Sequence, residues 1–366
     1  MSQNIVWGIE QLRNLPPLKC NRKVLLVSDS SFPFLTINHI VEESIGDHVT
    51  FNSFEPNPLY EDVCKGVQLF KDEGCKVIVA VGGGSTIDVA KCIKLFSNIN
   101  PDSDFSSEKI PDSDVPLIAI PTTAGTGSES TRFAVIYRNG SKQSISNNSI
   151  IPDYAILEPN VLSTLPLYQK KCTFLDALCQ GIESWWSINS TKESIRLSSF
   201  SVKALVNSFD DYFFNNTKES AGIVMNAANI AGQAINITQT TAPHAFSYKL
   251  TSMYGIPHGH AVALCLPEIW SFMIAHGDRC TDSRGETYLS NIYNDIAQAM
   301  GCNNPKEAIE SFRFILKRLD ISSPKTNKSE NDIDILVNSV NPIRLKNNPV
   351  VLDLIATREI YNSIVL

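Results

Sequence analysis

The chain has 366 residues, of which 43% are hydrophobic and 19% charged, and this length predicts a globular protein of two domains. The net charge of −7 and the absence of a basic run argue against a nucleic-acid partner. No apolar run is long enough for a transmembrane helix, so no membrane partner is expected either.

Segments typical of buried strands alternate with helical segments over the first 160 residues. The predicted strands are short and apolar, and the segments between them have the amphipathic spacing of helices. This alternation predicts an α/β domain with a mostly parallel, doubly wound sheet. The predicted strands cover residues 23–29, 49–54, 77–81 and 116–121, and the predicted helices cover residues 34–45, 60–74 and 86–97.

After about residue 160 the strand-like segments disappear and long helical patterns follow. We therefore expect an α/β domain over residues 1–160 and an all-helical domain over residues 161–366. Nine scattered cysteines without a C-x-x-C motif, and a start without the pattern of a secretory signal, predict a cytoplasmic protein with reduced thiols. The predicted helices of the second domain cover residues 168–187, 191–209, 218–237, 243–253, 259–276, 287–301, 305–319 and 350–366.

Two turns rich in glycine and hydroxyl groups, residues 82–85 and 122–128, each follow a predicted strand. Glycines let the backbone approach a ligand closely, and the N-terminus of a following helix attracts a phosphate. Neither a G-x-G-x-x-G pattern nor a Walker A sequence is present, so tight turns without a ligand remain an alternative. Because open α/β sheets bind ligands at the carboxyl ends of their strands, a nucleotide is favoured.

Two acids, Asp29 and Asp88, lie near these turns, and each can either contact a nucleotide or have only a structural role. Asp29 ends the first predicted strand, where an acid in dinucleotide-binding folds accepts ribose hydroxyls and disfavours a 2′-phosphate. A solvated turn or a helix cap is the alternative for Asp29. Asp88 lies near the start of the helix after the glycine turn, where a carboxylate also balances the helix dipole.

A candidate metal site is formed by residues of the second half. Asp176 and Gln180 lie one helical turn apart and share a helix face. His244 and His258 each follow a proline that can open a helix, in a chain with six histidines. One carboxylate and two imidazoles suit a borderline divalent metal, with Gln180 as the candidate fourth donor. Buried structural histidines are the alternative, and His260 is expected at the helix surface or behind the ligands.

Five motifs are spread along the chain: Gly82-Gly-Gly-Ser-Thr-Ile-Asp88-Val-Ala-Lys91, Ile120-Pro-Thr-Thr-Ala-Gly-Thr-Gly-Ser-Glu129, Pro152-Asp-Tyr-Ala-Ile-Leu-Glu-Pro159, Asp176-Ala-Leu and Pro257-His-Gly259. Together they resemble the iron-containing (group III) alcohol dehydrogenases, a family with the dehydroquinate-synthase-like fold. The resemblance extends from about residue 20 to the C-terminus. It implies reversible hydride transfer between NAD(P)H and a small aldehyde or alcohol, and we also expect a homodimer.

The same resemblance implies which residues hold NAD(P). Gly83, Gly84 and Ser85 would bind the pyrophosphate, and Asp88 would lie on the nicotinamide side. Asp29 matches a position where an acid accompanies NAD rather than NADP. The remaining matched positions are Thr122, Thr123, Thr126 and Ser128 in the cofactor cleft, Lys142 on the following strand, and Leu162 near the adenosine.

The resemblance also implies three metal ligands, whereas Gln180 and Tyr248 stand where many members of the family carry a histidine. Asp176, His244 and His258 match three of the four ligands of the family, and the fourth is usually a histidine where this chain has Gln180. An amide oxygen is a weaker donor than imidazole, so a looser site, a different metal and no metal are the alternatives. Catalytic roles are predicted for His258 and for Tyr248, which can donate a proton or simply pack as an aromatic ring.

Residues 176–191 and 242–249 look most like the branch that includes phosphonoacetaldehyde reductases. That likeness implies reduction of phosphonoacetaldehyde to 2-hydroxyethylphosphonate. The alternatives are a generic short-chain alcohol dehydrogenase, another enzyme of the same fold, or a non-catalytic nucleotide-binding protein whose metal site has decayed. A phosphonate needs cationic donors, for which Lys249, Arg344 and Lys346 are candidates, although each also fits a solvated surface charge.

Overall fold

The computed structural model describes residues 3–19, 22–98, 111–139, 141–324 and 330–365. These residues form two compact units. The first consists of Met1–Leu165 and Thr217–Gly232, and the second of Pro166–Asn216 and Gln233–Leu366. The segment Thr217–Gly232 lies within the residues expected to form the second domain, but it belongs to the first unit. A single boundary at residue 160 therefore does not describe the two units.

A parallel sheet organises the first unit. The strands of this unit are β1 (Asn4–Trp7), β2 (Val24–Ser28), β3 (His48–Phe51), β4 (Val77–Gly82), β5 (Leu117–Pro121), β6 (Phe133–Arg138), β7 (Ser141–Ser146) and β8 (Tyr154–Leu157). Six of them form the parallel sheet, in the order β1-β8-β5-β4-β2-β3, and β6 and β7 form a separate antiparallel pair. The predicted fold class, a mostly parallel sheet followed by a helical region, is thereby confirmed.

The core of the first unit lies around the central strands. Every residue of β2, β4 and β5 is buried, as is expected for parallel strands that are covered on both faces. The helices of the N-terminal segment are α1 (Asn38–Ile45), α2 (Tyr60–Asp72) and α3 (Gly84–Phe96). Helix α3 is buried along most of its length and follows β4 directly, so the glycine turn is fixed at the carboxyl edge of the sheet.

The second unit is built from helices. Among the described residues, no helix is long and apolar enough to cross a lipid bilayer. The helices are α4 (Leu167–Trp186), α5 (Lys192–Asp210), α6 (Lys218–Thr238), of which residues 218–232 belong to the first unit, α7 (Ala242–Tyr254), α8 (His258–Ala275), α9 (Glu286–Ala299), α10 (Pro305–Arg318), α11 (Glu330–Ser339), α12 (Pro342–Leu345) and α13 (Leu354–Ile364).

Helix α4 passes through the interior of the second unit, and helix α8 packs closely against it. Gly259 in the first turn of α8 permits this approach, because a Cβ at that position would lie 2.0 Å from the backbone oxygen of Cys172 and 3.0 Å from Cβ of Asp176. Any larger residue would force the two helices apart. The close packing places His258, the first residue of α8, beside the buried middle of α4.

Candidate functional site

Three ligand-type side chains converge in the second unit. The candidate ligand atoms of Asp176, His244 and His258 all lie within 4.8 Å of one another, and they form the metal-ligand cluster. Asp176 lies in the buried middle of α4, His244 in the first turn of α7 and His258 at the first position of α8. Because prolines precede both histidines at the helix starts, the two imidazoles are fixed at helix N-termini.

The carboxylate of Asp176 has a buried oxygen that accepts no hydrogen bond from the described residues. Oδ1 is buried and lies 3.3 Å from Nε2 of His244 without hydrogen-bond geometry, so it has no hydrogen-bond partner among the described residues. Burial alone would raise the pKa of Asp176, but the imidazoles of His244 and His258 lower it overall, which favours the ionised form. A buried anionic oxygen beside two imidazoles fits a bound divalent cation.

The amide of Gln180 is the predicted fourth donor. Gln180 lies one turn after Asp176 on α4 and is 3% exposed, so the side chain is inside the protein on the same helix face. Its role as a ligand stays a prediction, because the amide oxygen is a weaker donor than the imidazole usual in the family.

Glu183 is a buried partner of the cluster that the sequence analysis missed. Its Oε1 accepts a hydrogen bond from Nδ1 of His244 over 2.5 Å, and its Oε2 accepts from the backbone N–H and the hydroxyl of Thr241 over 2.7 and 3.0 Å. This contact directs Nε2 of His244 towards Asp176. Burial alone would lower the pKa of His244, but attraction by Glu183 and Asp176 raises it to about 9. The spacing of seven residues from Asp176 on one helix face was the available signal.

Tyr248 lies against the cluster. Its ring is stacked on that of His258, with 5.6 Å between the ring centroids and 5° between the ring planes. The Tyr248 hydroxyl oxygen accepts a hydrogen bond from Nη1 of Arg344 over 3.2 Å. Tyr248 follows His244 by one turn on α7, so the two side chains share a helix face. The catalytic roles of Tyr248 and His258 stay predictions, but the structure brings both residues to one place.

His260 forms hydrogen bonds with two protein groups and is not part of the metal-ligand cluster. Nε2 donates to the backbone oxygen of Ser322 over 2.9 Å, and Nδ1 then accepts from the hydroxyl of Tyr168 over 2.8 Å. The pKa of His260 is lowered, mainly because the imidazole is buried. Both ring nitrogens are therefore occupied by protein groups.

The two turns predicted to bind a nucleotide lie side by side in the first unit. Strands β4 and β5 are neighbours in register, with Gly82 opposite Pro121, and the N–H of Thr122 donates to the oxygen of Gly82 over 3.0 Å. Both turns therefore occupy the carboxyl edge of the sheet, where α/β folds bind ligands. Asp29 lies at the same edge after β2, where its Oδ2 accepts from the hydroxyl of Thr86 over 3.1 Å.

The glycine turn ends at an uncapped helix. Gly83 is the N-cap of α3 and has no side chain, and within the described part of the chain this helix has no side-chain cap hydrogen bond. A Cβ on Gly84 would lie 2.8 Å from the side chain of Thr126, so the second turn packs against the first. Gly83, Gly84 and Ser85 are each half-buried. An open helix N-terminus lined by hydroxyl groups fits a phosphate.

Asp88 and Ser128 bind each other. The Ser128 hydroxyl donates to Oδ1 of Asp88 over 2.5 Å, the N–H of Val135 donates to Oδ2 over 2.9 Å, and Lys91 donates to the Ser128 oxygen over 3.1 Å. Burial raises the pKa of Asp88. These contacts support a structural role, whereas contact of Asp88 and Ser128 with a cofactor stays a prediction.

The other predicted cofactor residues are distributed over three segments. Thr122 is buried and Thr123 is half-buried in the turn after β5, Lys142 is half-buried on β7, and Leu162 is buried in a short 3₁₀ segment after β8. Strand β8 pairs with β5, so Leu162 follows a strand at the same carboxyl edge. The roles of these residues in cofactor binding stay predictions.

Family profiles match almost the whole chain. The profile of iron-containing alcohol dehydrogenase matches residues 2–159, and the C-terminal profile of the Fe-containing alcohol dehydrogenase family matches residues 171–365. A parallel α/β unit followed by a helical unit with a carboxylate-and-imidazole cluster is the arrangement of a class of oxidoreductases that act on CH–OH groups. The chain belongs to the iron-containing alcohol dehydrogenase family, as its motifs predicted.

Individual relatives are similar over part or all of their length. The phosphonoacetaldehyde reductase of Streptomyces viridochromogenes is 34% identical over 253 residues, which cover 65% of this chain and 64% of that enzyme, less than two thirds of its length. Alcohol dehydrogenase 4 of Schizosaccharomyces pombe is 30% identical over 308 residues, which cover 81% of this chain and 70% of that protein. The sulfoacetaldehyde reductase of Bifidobacterium kashiwanohense, solved with NAD⁺, shares the fold with a TM-score of 0.89 at 24% identity, covering 99% of this chain and 96% of that one.

Proposed function

We propose that the protein is a metal-dependent, NAD(P)H-linked aldehyde reductase that also works in the alcohol-oxidising direction. The observation that carries this proposal is the convergence of Asp176, His244 and His258 in a member of the iron-containing alcohol dehydrogenase family. The buried Oδ1 of Asp176, which accepts no hydrogen bond from the described residues, supports a cation at this place.

Asp176, His244 and His258 would hold Fe²⁺ or Zn²⁺, with Gln180 as the proposed fourth donor. A divalent cation bound there supplies Lewis-acid polarisation of an aldehyde carbonyl. Glu183 keeps the proton of His244 on Nδ1, so that Nε2 offers its lone pair to the cation. This second carboxylate also offsets part of the positive charge of the ion.

NAD(P)H would supply the hydride. The proposed pyrophosphate site is the open N-terminus of α3 at Gly83, Gly84 and Ser85. Asp29 favours NAD over NADP in this proposal, because a carboxylate accepts hydrogen bonds from ribose hydroxyls and repels a 2′-phosphate. Tyr248 would deliver a proton to the carbonyl oxygen as hydride reaches the carbon, a role supported by the stacking of its ring on His258.

Phosphonoacetaldehyde is the proposed substrate, with 2-hydroxyethylphosphonate as the product. Support comes from the 34% identity to a phosphonoacetaldehyde reductase over 65% of the chain. A generic short-chain alcohol dehydrogenase is the second candidate, supported by the 30% identity to alcohol dehydrogenase 4 over 81% of the chain. Both candidates require the same metal and cofactor chemistry.

The test is oxidation of NADH and NADPH with a panel of aldehydes after loading with Fe²⁺ or Zn²⁺. We expect turnover with the metal, loss of turnover after chelation, and a preference for phosphonoacetaldehyde over propanal. His258→Ala should abolish turnover and leave NADH binding near the wild-type level, because His258 lies in the helical unit and the nucleotide turns do not. Nucleotide binding without turnover under either metal would support a decayed site at Gln180 instead.

A further inference from the structure

We propose that Arg344, held against Tyr248, binds the anionic head group of the substrate and thereby selects short aldehydes that carry a phosphonate or a similar oxyanion. This inference rests on the proposed aldehyde reductase function and adds the residue that sets its substrate class.

Arg344 is a cation close to the metal-ligand cluster. It lies on the short helix α12, which contacts α7. Its Nη1 donates to the Tyr248 hydroxyl over 3.2 Å, and its guanidinium carbon lies 5.1 Å from the centroid of the Tyr248 ring. That ring is stacked on His258. One aromatic side chain therefore separates the guanidinium of Arg344 from a member of the cluster.

The guanidinium of Arg344 has no carboxylate partner among the residues that the structure describes. Other arginines of the same unit are paired with acids, such as Arg284 with Asp282 over 2.6 Å and Arg313 with Glu268 over 2.9 Å. Arg344 is half-buried, and its one neutral hydrogen bond, to Tyr248, uses one of five N–H donors. Guanidinium donors are suited to the bidentate recognition of a tetrahedral oxyanion.

The charges of the cluster leave little net attraction for an anionic substrate, so a separate cation is needed to hold its head group. Asp176 and Glu183 are both buried carboxylates within the cluster or in contact with it, and the whole chain carries a net charge of −7. These two negative charges offset the charge of the proposed divalent cation, so the oxyanion of the head group still lacks a charged partner of its own. In phosphonoacetaldehyde one methylene separates the carbonyl carbon from phosphorus, so the anion-binding residue must lie close to the cluster, as Arg344 does.

The structure distinguishes Arg344 from the two lysines that the sequence offered. Lys249 follows Tyr248 directly on α7, and neighbouring residues of a helix point in different directions. Lys346 is exposed beyond the end of α12. Arg344 contacts Tyr248, the side chain that is stacked on His258, and this contact places its guanidinium close to the metal-ligand cluster.

The test compares Arg344→Ala with Lys346→Ala, a matched control that removes the same charge two residues away. The measured quantity is the ratio of kcat/KM for phosphonoacetaldehyde to kcat/KM for propanal. We expect this ratio to fall roughly 10- to 100-fold in Arg344→Ala, because a charge-assisted hydrogen bond is lost. The ratio should stay within about twofold of wild type in Lys346→Ala, because exposed charges contribute little.

Calorimetric binding of ethylphosphonate, which has no carbonyl, gives a second readout that needs no turnover. Wild type and Lys346→Ala should bind it with equal affinity, and Arg344→Ala should bind it at least about tenfold more weakly. Equal ratios and equal ethylphosphonate affinities in the two variants would overturn the assignment, as would no binding by wild type. If wild type reduces no aldehyde, the proposed function fails, and the ethylphosphonate measurement still decides the role of Arg344.

Discussion

The buried carboxylate of Glu183 accepts a hydrogen bond from Nδ1 of His244, with 2.5 Å between the two atoms. Because the other oxygen of Glu183 is held by the N–H and the hydroxyl of Thr241, at the N-cap of α7, the carboxylate has a fixed orientation. Glu183 therefore fixes the orientation of the His244 imidazole through Nδ1, the nitrogen that does not face Asp176, before any metal binds.

Glu183→Gln should lower the affinity for Zn²⁺ roughly 10- to 100-fold, because the neutral amide no longer fixes the protonated Nδ1 and no longer raises the basicity of the ligand. The measurement is competition for the metal with a chromophoric chelator. Ser184→Ala is the matched control, because Ser184 is a buried neighbour on α4 that contacts Thr238 and not His244. Equal affinities for the two variants would contradict the role of Glu183.

Gln180→His should tighten metal retention by at least about tenfold, because imidazole is a stronger donor than an amide oxygen for a late divalent metal. The measurement is the rate of metal loss to excess chelator. Gln180→Leu separates the alternatives: faster loss than in wild type shows that the amide oxygen binds the metal, and an unchanged rate shows that it does not. A histidine that failed to slow the loss would place position 180 outside the coordination sphere.

Lys91→Met should destabilise the protein by roughly 3–5 kcal/mol. Lys91 is fully buried, and Nζ donates to the hydroxyl of Ser128 over 3.1 Å and to the backbone oxygen of Phe133 over 2.7 Å. Without the ammonium group, Asp88 loses its neighbouring cation. The measurement is urea unfolding, with Lys65→Met as the control, because Lys65 is exposed and should change stability by less than about 1 kcal/mol.

The pH dependence of stability should change in the same variant. Burial lowers the pKa of Lys91 from 10.5 to about 8, so between these two values the unfolded chain binds more protons at this position than the folded protein does. The contribution of Lys91 to the free energy of unfolding therefore rises as the pH increases from about 8 to 10.5. Lys91→Met should lack this rise. If the free energy of unfolding changes with pH in the same way in the variant and in wild type, this contribution of Lys91 is refuted.

Gly259→Ala should destabilise the protein by about 1–3 kcal/mol and weaken metal binding. A Cβ would lie 2.0 Å from the backbone oxygen of Cys172, so α8 must move away from α4 and carry His258 with it. The measurements are urea unfolding and chelator competition. Gly222→Ala is the control, because the nearest atom to its Cβ would be 3.8 Å away and the change should stabilise α6 by roughly 0.5–1 kcal/mol.

The elements predicted correctly from sequence have a strong local pattern. Strand β4 is six buried residues before a glycine turn, and α10 has Asn304 as a capping residue, a proline at its first position and a clear amphipathic face. The short strands β1 and β8 were not predicted. Each has four residues, and they pair with each other across about 150 positions of the chain, so their partners are invisible in a local pattern.

The residues of the metal-ligand cluster could be predicted from the sequence, whereas the contacts around the cluster could not. Residue type and helical spacing indicated Asp176 and Gln180, and prolines at helix starts indicated the two histidines. The contact of Glu183 with His244 depends on how α7 crosses α4, and the contact of Arg344 with Tyr248 depends on how α12 packs on α7. Helical spacing could have placed Glu183 on the face of Asp176, and Arg344 was one of three candidate cations, but which residue each of them contacts depends on packing that no local pattern shows.

The hydrogen bonds of His260 limit how many ions the chain can take up. Three histidines lie between positions 244 and 260, and a titration judged from the sequence alone could end at more than one ion per chain. Tyr168 and Ser322 occupy both ring nitrogens of His260, and within the described residues one cluster of three or more histidine, cysteine or acidic ligands is present. Metal uptake by the described residues should therefore saturate at one ion, held by Asp176, His244 and His258.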